Sequence, residues 1–225
     1  MTRRYPEIAF GDSVKAVQEE NGSRGFGQRL ENMEWDDRAL GDREREHIER
    51  LDHFYMATVN EAGWPYVQFR GGPKGFLKVL GPHTLAFADF RGNMQYISTG
   101  NVRADDRVAL FLLDQARRKR LKIYARAEVR EVDDALRSKL VDPAYDAVIE
   151  RAYLFYVEAF DWNCQQHITP RFSLEEIREA GPEVWAEMRG DTSLSHPSGD
   201  SPDNTTGNPR DTTTTITDTT ERTLS

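Results

Sequence analysis

The chain has only one cysteine, Cys164, among its 225 residues, so it cannot form an intramolecular disulfide. It also lacks any apolar run near the ~18–20 residues that a membrane-spanning helix needs. The longest apolar stretch, VALFLLD, has the length of a strand. The N-terminal residues do not resemble a secretion signal, so we expect a reducing, cytoplasmic location and no membrane partner.

An excess of basic charge is missing as well. The chain carries 30 Lys and Arg against 38 Asp and Glu, for a formal net charge of -8. Nucleic-acid binding generally needs a basic face, so this balance predicts no nucleic-acid partner, although it leaves room for a local basic pocket. Hydrophobic residues make up 38% of the chain and charged residues 30%, which permits a core beneath a very polar surface.

The last part of the chain differs in composition from the rest. From residue 189 onward it is rich in Thr, Ser and Asp and almost free of apolar side chains. Such a segment cannot bury enough apolar surface to offset the entropy lost on ordering. We therefore predict one folded domain over residues 1–188 and a disordered tail over residues 189–225.

The patterns before the tail predict an α+β fold that is mainly β. The N-terminal third contains helical patterns, such as SVKAVQEE and RALGDREREHIERLDHF. The middle contains short strands separated by Gly- and Pro-containing turns, which favours an antiparallel meander. The strand-like stretches are FYMATVN, PYVQFRG, FLKVL, TLAFADF, RVALFLLD, RLKIYARAEVREV and RAYLFYVEAF. Six or seven strands with few long helices are typical of a small barrel with helical additions.

The stretch FADFRGNMQYI begins as a strand and is predicted to continue as a helix, NMQYISTG, which ends at Gly100. Arg91, Gly92 and Asn93 lie at the junction. A helix N-terminus offers unpaired N–H groups and about half an elementary positive charge. Asn93 can cap this helix, and Arg91 adds a full charge. Two interpretations stay open: an anion site, or an ordinary capped helix with a surface arginine.

Two further stretches concentrate basic residues. In VQFRGGPKG, Arg70 and Lys74 flank two glycines, which suits either close approach to a phosphate or a hairpin turn with solvated charges. QARRKRLKIYARAEV suits either a nucleic-acid patch or a basic hairpin, and we favour the hairpin. Lys122, Tyr124 and Arg126 share one face of that strand, where a basic stripe would suit an anionic cofactor.

The stretch DWNCQQHITPRF collects several reactive residue types. A lone cysteine without a paired Cys/His motif argues against zinc, and we expect no metal site. No oxyanion motif accompanies Cys164 and His167, which argues against a nucleophile pair. Trp162 fits a core or dimer-interface residue as well as a ligand contact.

Together these segments resemble the pyridoxamine 5′-phosphate oxidase-like family of FMN-binding split-barrel proteins. The resemblance covers about residues 40–180 and rests on the order and spacing of PYVQFRGGPKGFLKVL, TLAFADFRGNMQYISTG, RVALFLLD and LKIYARAEV. EAFDWNCQQHITPRF resembles a signature of the predicted flavin-nucleotide-binding branch of that family. The resemblance implies a six-stranded split β-barrel and a homodimer with two FMN molecules at the subunit interface.

The resemblance also implies which residues contact FMN. The family uses one strand and its turn, a strand-to-helix junction that holds the phosphate, the next long strand, and a late segment of the partner chain. The corresponding residues here are Gln68, Phe69, Arg70, Gly71 and Lys74; Arg91, Gly92 and Asn93; Arg120 and Lys122; and Trp162 and Asn163. Pyridoxamine phosphate oxidases carry Ser-Arg-Lys at the junction and an arginine in place of Gln68. FMN binding is therefore implied, but pyridoxamine oxidation is not.

The expected function is an FMN-dependent oxidoreductase that acts on an unidentified small molecule or electron donor. The alternative is a flavin-binding or electron-carrier protein without turnover of its own. The sequence does not identify a catalytic residue. His167 and Tyr124 are the candidates, because each can donate or accept a proton.

Overall fold

The computed structural model describes residues 2–181. Its first unit, Met1–Glu176, contains every strand of these residues, and a second unit begins at Ile177. The predicted tail, residues 189–225, lies outside the described residues. No helix within the described part of the chain is long and apolar enough to cross a membrane.

Seven helices and seven strands make up the described chain. The helices are α1 (Arg4–Ala9), α2 (Asp12–Glu20), α3 (Arg24–Asn32), α4 (Asp42–Arg50), α5 (Ile97–Ala104), α6 (Asp134–Leu140) and α7 (Leu174–Ala180). The strands are β1 (His53–Val59), β2 (Pro65–Gly71), β3 (Lys78–Gly81), β4 (Thr84–Phe90), β5 (Arg107–Asp114), β6 (Lys119–Arg130) and β7 (Ile149–Asn163).

All seven strands belong to one antiparallel sheet in the order β2-β1-β5-β6-β7-β4-β3. The predicted α+β class is confirmed. The sheet has one strand more than the six that the resemblance implied, because the four-residue β3 pairs with β4. It is also not a simple meander, since β1 pairs with β5 and β4 pairs with β7. Within residues 2–181 the edge strands β2 and β3 do not pair, so the sheet stays open.

The main core lies on one face of this sheet and follows from strand alternation, while a smaller apolar cluster packs α6 against the other face of β4 and β7. In β5, Val108, Leu110 and Leu112 point inward and are buried, while their neighbours are more exposed. Phe54 and Phe155 also contribute fully buried aromatic rings to this core. Each such side chain contributes about 1.5–3 kcal/mol when buried, so the inner face provides most of the driving force for folding.

One predicted element boundary is wrong at the junction after β4. Helix α5 begins at Ile97, four residues later than the predicted start at Asn93. The Asn93 side chain does not cap it; its Oδ1 accepts a hydrogen bond from the backbone N–H of Gln95 (3.1 Å). The residue before the helix is Tyr96, in the left-handed region with φ 52°. Asn93 can accept this local bond because Asn readily forms such turns, which compete with helix formation.

The first 39 residues add an N-terminal layer against β6 and β7. Buried Arg3 forms ion pairs with Asp37 and with Asp161. The Asp37 carboxylate also accepts the backbone N–H groups of Arg4 and Tyr5, both at 2.8 Å, and so satisfies the start of α1. A buried carboxylate with several donors is costly to disturb, which fixes this layer on the sheet.

Helix α4 is also fixed to the sheet by polar contacts near the end of β7. The buried carboxylate of Glu44 accepts the Gly41 backbone N–H (3.0 Å) and the Trp162 indole N–H (2.7 Å). His47 packs edge-on against Trp162, with ring centroids 4.8 Å apart, and its Nε2 lies 3.3 Å from the Leu112 carbonyl oxygen. Burial lowers the pKa of His47 below its usual value of 6.5.

This burial predicts an acid-sensitive fold. Unfolded His47 takes up a proton near pH 6.5 and the folded protein does so only at lower pH, so the free energy of unfolding should fall as pH drops below about 6.5. One such group contributes a slope of at most about 1.4 kcal/mol per pH unit. Urea unfolding at several pH values should show that His47→Gln reduces this slope. His83→Gln, at an exposed position, is the control, and an unchanged slope in His47→Gln would contradict the prediction.

Candidate functional site

A polar cleft opens where β2, the end of β4 and the start of α5 meet. We refer to it as the β2–β4–α5 cleft. Its empty volume is about 570 Å³ when the solvent in its open mouth is included. Its lining residues are Tyr66, Gln68, Arg70, Asp89, Phe90, Gly92, Asn93, Met94, Gln95, Tyr96, Ile97, Ser98, Thr99 and Glu150.

Helix α5 is fixed beside the cleft by polar contacts as well as by Val102, which is buried in the core. Ser98, Thr99 and Asn101 are buried, and each makes a side-chain hydrogen bond to the sheet. The bonds join Ser98 to Gln68 (2.7 Å), Thr99 to Tyr153 (2.7 Å) and Asn101 to Thr58 (2.9 Å). Because buried polar groups are costly without partners, this pairing fixes the helix and the loop before it.

The floor of the cleft contains a buried carboxylate between two arginines. Asp89 Oδ1 accepts a hydrogen bond from Arg70 Nη1 at 2.7 Å, and Asp89 Oδ2 lies 3.4 Å from Arg151 Nε. Burial raises the pKa of Asp89, and the charges of Arg70 and Arg151 oppose that rise. The Nε groups of both arginines are buried without a hydrogen-bond partner within residues 2–181. The floor therefore places two positive charges against one buried carboxylate.

The rim of the cleft is organised around Glu150. Its Oε1 accepts hydrogen bonds from Arg91 Nε (3.0 Å) and from the Tyr96 hydroxyl (3.1 Å). Its Oε2 accepts one from Arg151 Nη2 (2.5 Å). The hydrogen bond from Arg91, together with those from Arg151 and Tyr96, lowers the pKa of Glu150. Three arginines and two carboxylates thus meet at the cleft, leaving one positive charge in excess.

The loop between β4 and α5 has an unusual backbone. Met94 and Tyr96 have φ values of 59° and 52°, in the left-handed region that non-glycine residues seldom adopt. Such positions cost on the order of 1 kcal/mol or more and tend to occur at ligand sites. Tyr96 combines this left-handed backbone with a hydroxyl group that donates a hydrogen bond to Glu150.

The structure brings together part of the predicted cofactor set. The predicted residues that line the cleft are Gln68, Arg70, Gly92 and Asn93. Arg91 reaches the rim through Glu150, although its backbone N–H is already donated to the Val148 carbonyl oxygen (2.8 Å). The phosphate-binding prediction for this junction therefore depends on side chains and on the loop, not on the helix start that was expected at Asn93.

Phe69 lies on the other face of β2, because alternate strand residues point in opposite directions. It borders an exposed apolar surface that we call the apolar sheet face. The side chains that line it include Tyr55, Val67, Phe111, Leu113, Lys122 and Tyr124. Val67 and Phe69 are 61% and 57% exposed. Lys122 and Tyr124 are therefore placed together on this face, apart from the cleft.

Gly71 and Lys74 belong to a turn that packs under α4. The backbone N–H groups of Gly72 and Gly75 donate to the carbonyl oxygens of Asp52 and Leu51, both at 2.9 Å. Gly75 has φ 70°, and an added Cβ would come within 3.0 Å of a backbone oxygen. Lys74 forms an ion pair with Glu175 at 2.7 Å. The stretch is therefore a turn, but not the predicted hairpin, because the flanking strands β2 and β3 lie at opposite edges of the sheet and do not pair.

The remaining predicted residues also lie outside the cleft. Arg120 and Asn163 face each other across β6 and β7, and Arg120 Nη2 donates to the Cys164 carbonyl oxygen (2.8 Å). Trp162 donates to Glu44, as described above. His167 is exposed with φ 61°, and Tyr124 packs against Tyr5 with ring centroids 5.2 Å apart. Neither catalytic candidate reaches the cleft.

Sequence reasoning missed several cleft residues: Asp89, Tyr96, Ser98, Glu150 and Arg151. Asp89 carried a usable signal, since it is a charge inside the otherwise apolar strand TLAFADF. Glu150 and Arg151 carried none, because they are two charges at the start of a strand far along the chain. Within residues 2–181 no cluster of three or more His, Cys, Asp or Glu side chains could hold a metal ion.

A family model for pyridoxamine 5′-phosphate oxidase matches residues 40–178, and the chain belongs to this family. A search of curated proteins found no match. Several solved structures are similar to the chain. A candidate pyridoxamine 5′-phosphate oxidase from Lactobacillus delbrueckii is 22% identical, with 56% of this chain and 96% of that chain covered at a TM-score of 0.44.

Two other solved structures are also similar to the chain. An FMN-binding protein from Syntrophomonas wolfei is 14% identical, with 68% of this chain and 97% of that chain covered at a TM-score of 0.44. A protein of Clostridium acetobutylicum related to general stress protein 26 is 16% identical, with 60% of this chain and 94% of that chain covered at a TM-score of 0.43. The family match assigns the open sheet to the split-barrel folds.

Proposed function

We propose that the protein binds FMN in the β2–β4–α5 cleft and is an oxidoreductase for a small molecule. The observation that carries this proposal is the convergence of three arginines, Arg70, Arg91 and Arg151, on the two carboxylates that line the cleft. An anionic ligand would supply acceptors for such donors, and arginine suits phosphate in particular. Family membership supports a flavin rather than another phosphorylated ligand.

The cleft residues fit the parts of FMN in different ways. Arg91 and Asn93 would hold the phosphate, since they lie at the rim on the β4–α5 loop. Gly92 would let the ligand approach the backbone, because an added Cβ there meets nothing within 4 Å. Gln68 would contact the ribityl or ring portion from β2. Bound FMN supplies hydride or electron transfer, and the protein positions it.

A flavin-binding protein without turnover is the second candidate. One observation favours it: neither His167 nor Tyr124 lines the cleft. Absorbance spectroscopy of the purified holoprotein would separate the two candidates. We expect the flavin bands to bleach with NADH or NADPH and to return when an acceptor is added. Flavin that is bound but never reduced by either donor would support the binding protein.

We predict that Arg91→Ala weakens FMN roughly tenfold or more and riboflavin much less. The reason is that riboflavin lacks the phosphate, and the loss of one charge-assisted hydrogen bond lowers affinity by about this factor. Quenching of flavin fluorescence during titration of the apoprotein measures both affinities.

Arg103→Ala is the matched control for this substitution. Arg103 is an exposed arginine in the last turn of α5 and does not line the cleft, so its removal should leave both affinities unchanged. Equal losses for FMN and riboflavin in Arg91→Ala would reject the phosphate assignment. Failure of the wild-type apoprotein to bind either flavin would reject the proposed function itself.

We also propose that the protein is a homodimer that pairs through the apolar sheet face. Exposed Tyr55, Val67 and Phe69 form a contiguous apolar surface there, and soluble monomers seldom expose such surfaces beyond a few hundred Å². Residues of a second copy would then lie beside this face. Phe69, Lys122 and Tyr124 would then lie at or beside the subunit interface.

Val67→Asp should convert the dimer to a monomer, because it places a charge at the centre of the apolar contact. Static light scattering at micromolar concentration should then give a mass near the 25.8 kDa of one chain. Val17→Asp is the control, because Val17 is 54% exposed on α2, away from this face. A wild-type mass of one chain, with FMN present, would refute the dimer.

A further inference from the structure

Glu150 makes three convergent hydrogen bonds at the rim of the β2–β4–α5 cleft. Its carboxylate accepts from Arg91 (3.0 Å), Tyr96 (3.1 Å) and Arg151 (2.5 Å). The side chain is 11% exposed, so these donors largely replace its water. Two guanidinium groups and a hydroxyl around one anion are the usual surroundings of a bound phosphate.

We infer that the Glu150 carboxylate is the resident anion of the phosphate subsite and competes with the phosphate of a ligand for Arg91, Tyr96 and Arg151. This inference rests on the proposed flavin site. It adds Tyr96 and Arg151 to the phosphate-binding residues and makes Glu150 a determinant of affinity for phosphorylated ligands.

Charge and geometry support competition rather than simple sharing. Arg91 Nε and Tyr96 both donate to the same oxygen of Glu150, so a phosphate can take these donors only if the carboxylate gives them up. Two anions side by side also repel each other strongly where water is partly excluded. The guanidinium carbon of Arg151 lies 4.6 Å from the centroid of the Tyr96 ring. This cation–π contact holds both donors in place when one anion replaces the other.

The carboxylate of Asp89, at the floor of the cleft, is not the one that a ligand displaces. Arg151 contacts both carboxylates, but Asp89 is also bound by Arg70 at 2.7 Å, whose side chain is only 13% exposed. The Arg70–Asp89 pair therefore stays intact when the rim anion is exchanged. Glu150 is held by Arg91, which is 57% exposed and can be reached by a ligand, so Glu150 is the carboxylate that a ligand can displace.

The test compares Glu150→Gln with the wild type. The substitution keeps the size of the side chain but removes its charge, so FMN affinity should rise roughly tenfold while riboflavin affinity stays the same. Glu158→Gln is the matched control, because Glu158 is on the same strand and pairs with Arg126 and Arg4 outside the cleft. Arg91→Ala in the Glu150→Gln background should remove the gain.

A second readout does not depend on flavin. Inorganic phosphate should raise the thermal midpoint of Glu150→Gln at concentrations that leave the wild type and Glu158→Gln unchanged. If the wild type binds no flavin but Glu150→Gln gains this response, the proposed function fails and the resident-anion inference stands. A fall in FMN affinity in Glu150→Gln, or no phosphate response in a variant that still unfolds cooperatively, would overturn the inference.

Discussion

The side-chain pair of Arg70 and Asp89 joins parts of the fold that the backbone leaves apart. β2 and β4 are separated by four strands in the sheet, yet Arg70 and Asp89 meet at 2.7 Å. Arg151, from β7, approaches the same carboxylate. Burial opposes the charge on Asp89, and only the two guanidinium groups offset that cost. The open sheet thus curls around an ion pair, and the cleft forms above it.

Helix α5 depends on that arrangement and completes the cleft. Most surface helices dock through an apolar stripe, whereas α5 buries one apolar side chain, Val102, and three polar ones, Ser98, Thr99 and Asn101. Hydrogen bonds are directional, so the helix start and the strained loop before it are set more narrowly than apolar packing would allow. The cost of left-handed Met94 and Tyr96 is offset by this docking, which is the pattern expected where a site is shaped before its ligand arrives.

Most of the fold could be predicted from local sequence signals. The bounds of β4 and β5 coincide with the predicted stretches TLAFADF and RVALFLLD, because alternation and flanking turns mark strands strongly. The helix predicted over RALGDREREHIERLDHF was too long, since Gly41 and the start of β1 limit α4 to Asp42–Arg50. The start of α5 was missed because Asn93 can serve a cap or a turn equally well, and the choice between them is made by tertiary contacts.

The sequence by itself determined the strands, the turns, the acidic surface and the family, because each depends on neighbouring residues or on their order along the chain. Tertiary structure alone decided which charges share the cleft. Arg91 and Glu150 are 59 positions apart, and Arg70 and Asp89 are 19 apart. Their encounter requires the pairing of β4 with β7 and the curl that returns β2 to β4. Electrostatic contacts of this kind depend on distance in space, and no local pattern in the chain encodes that distance.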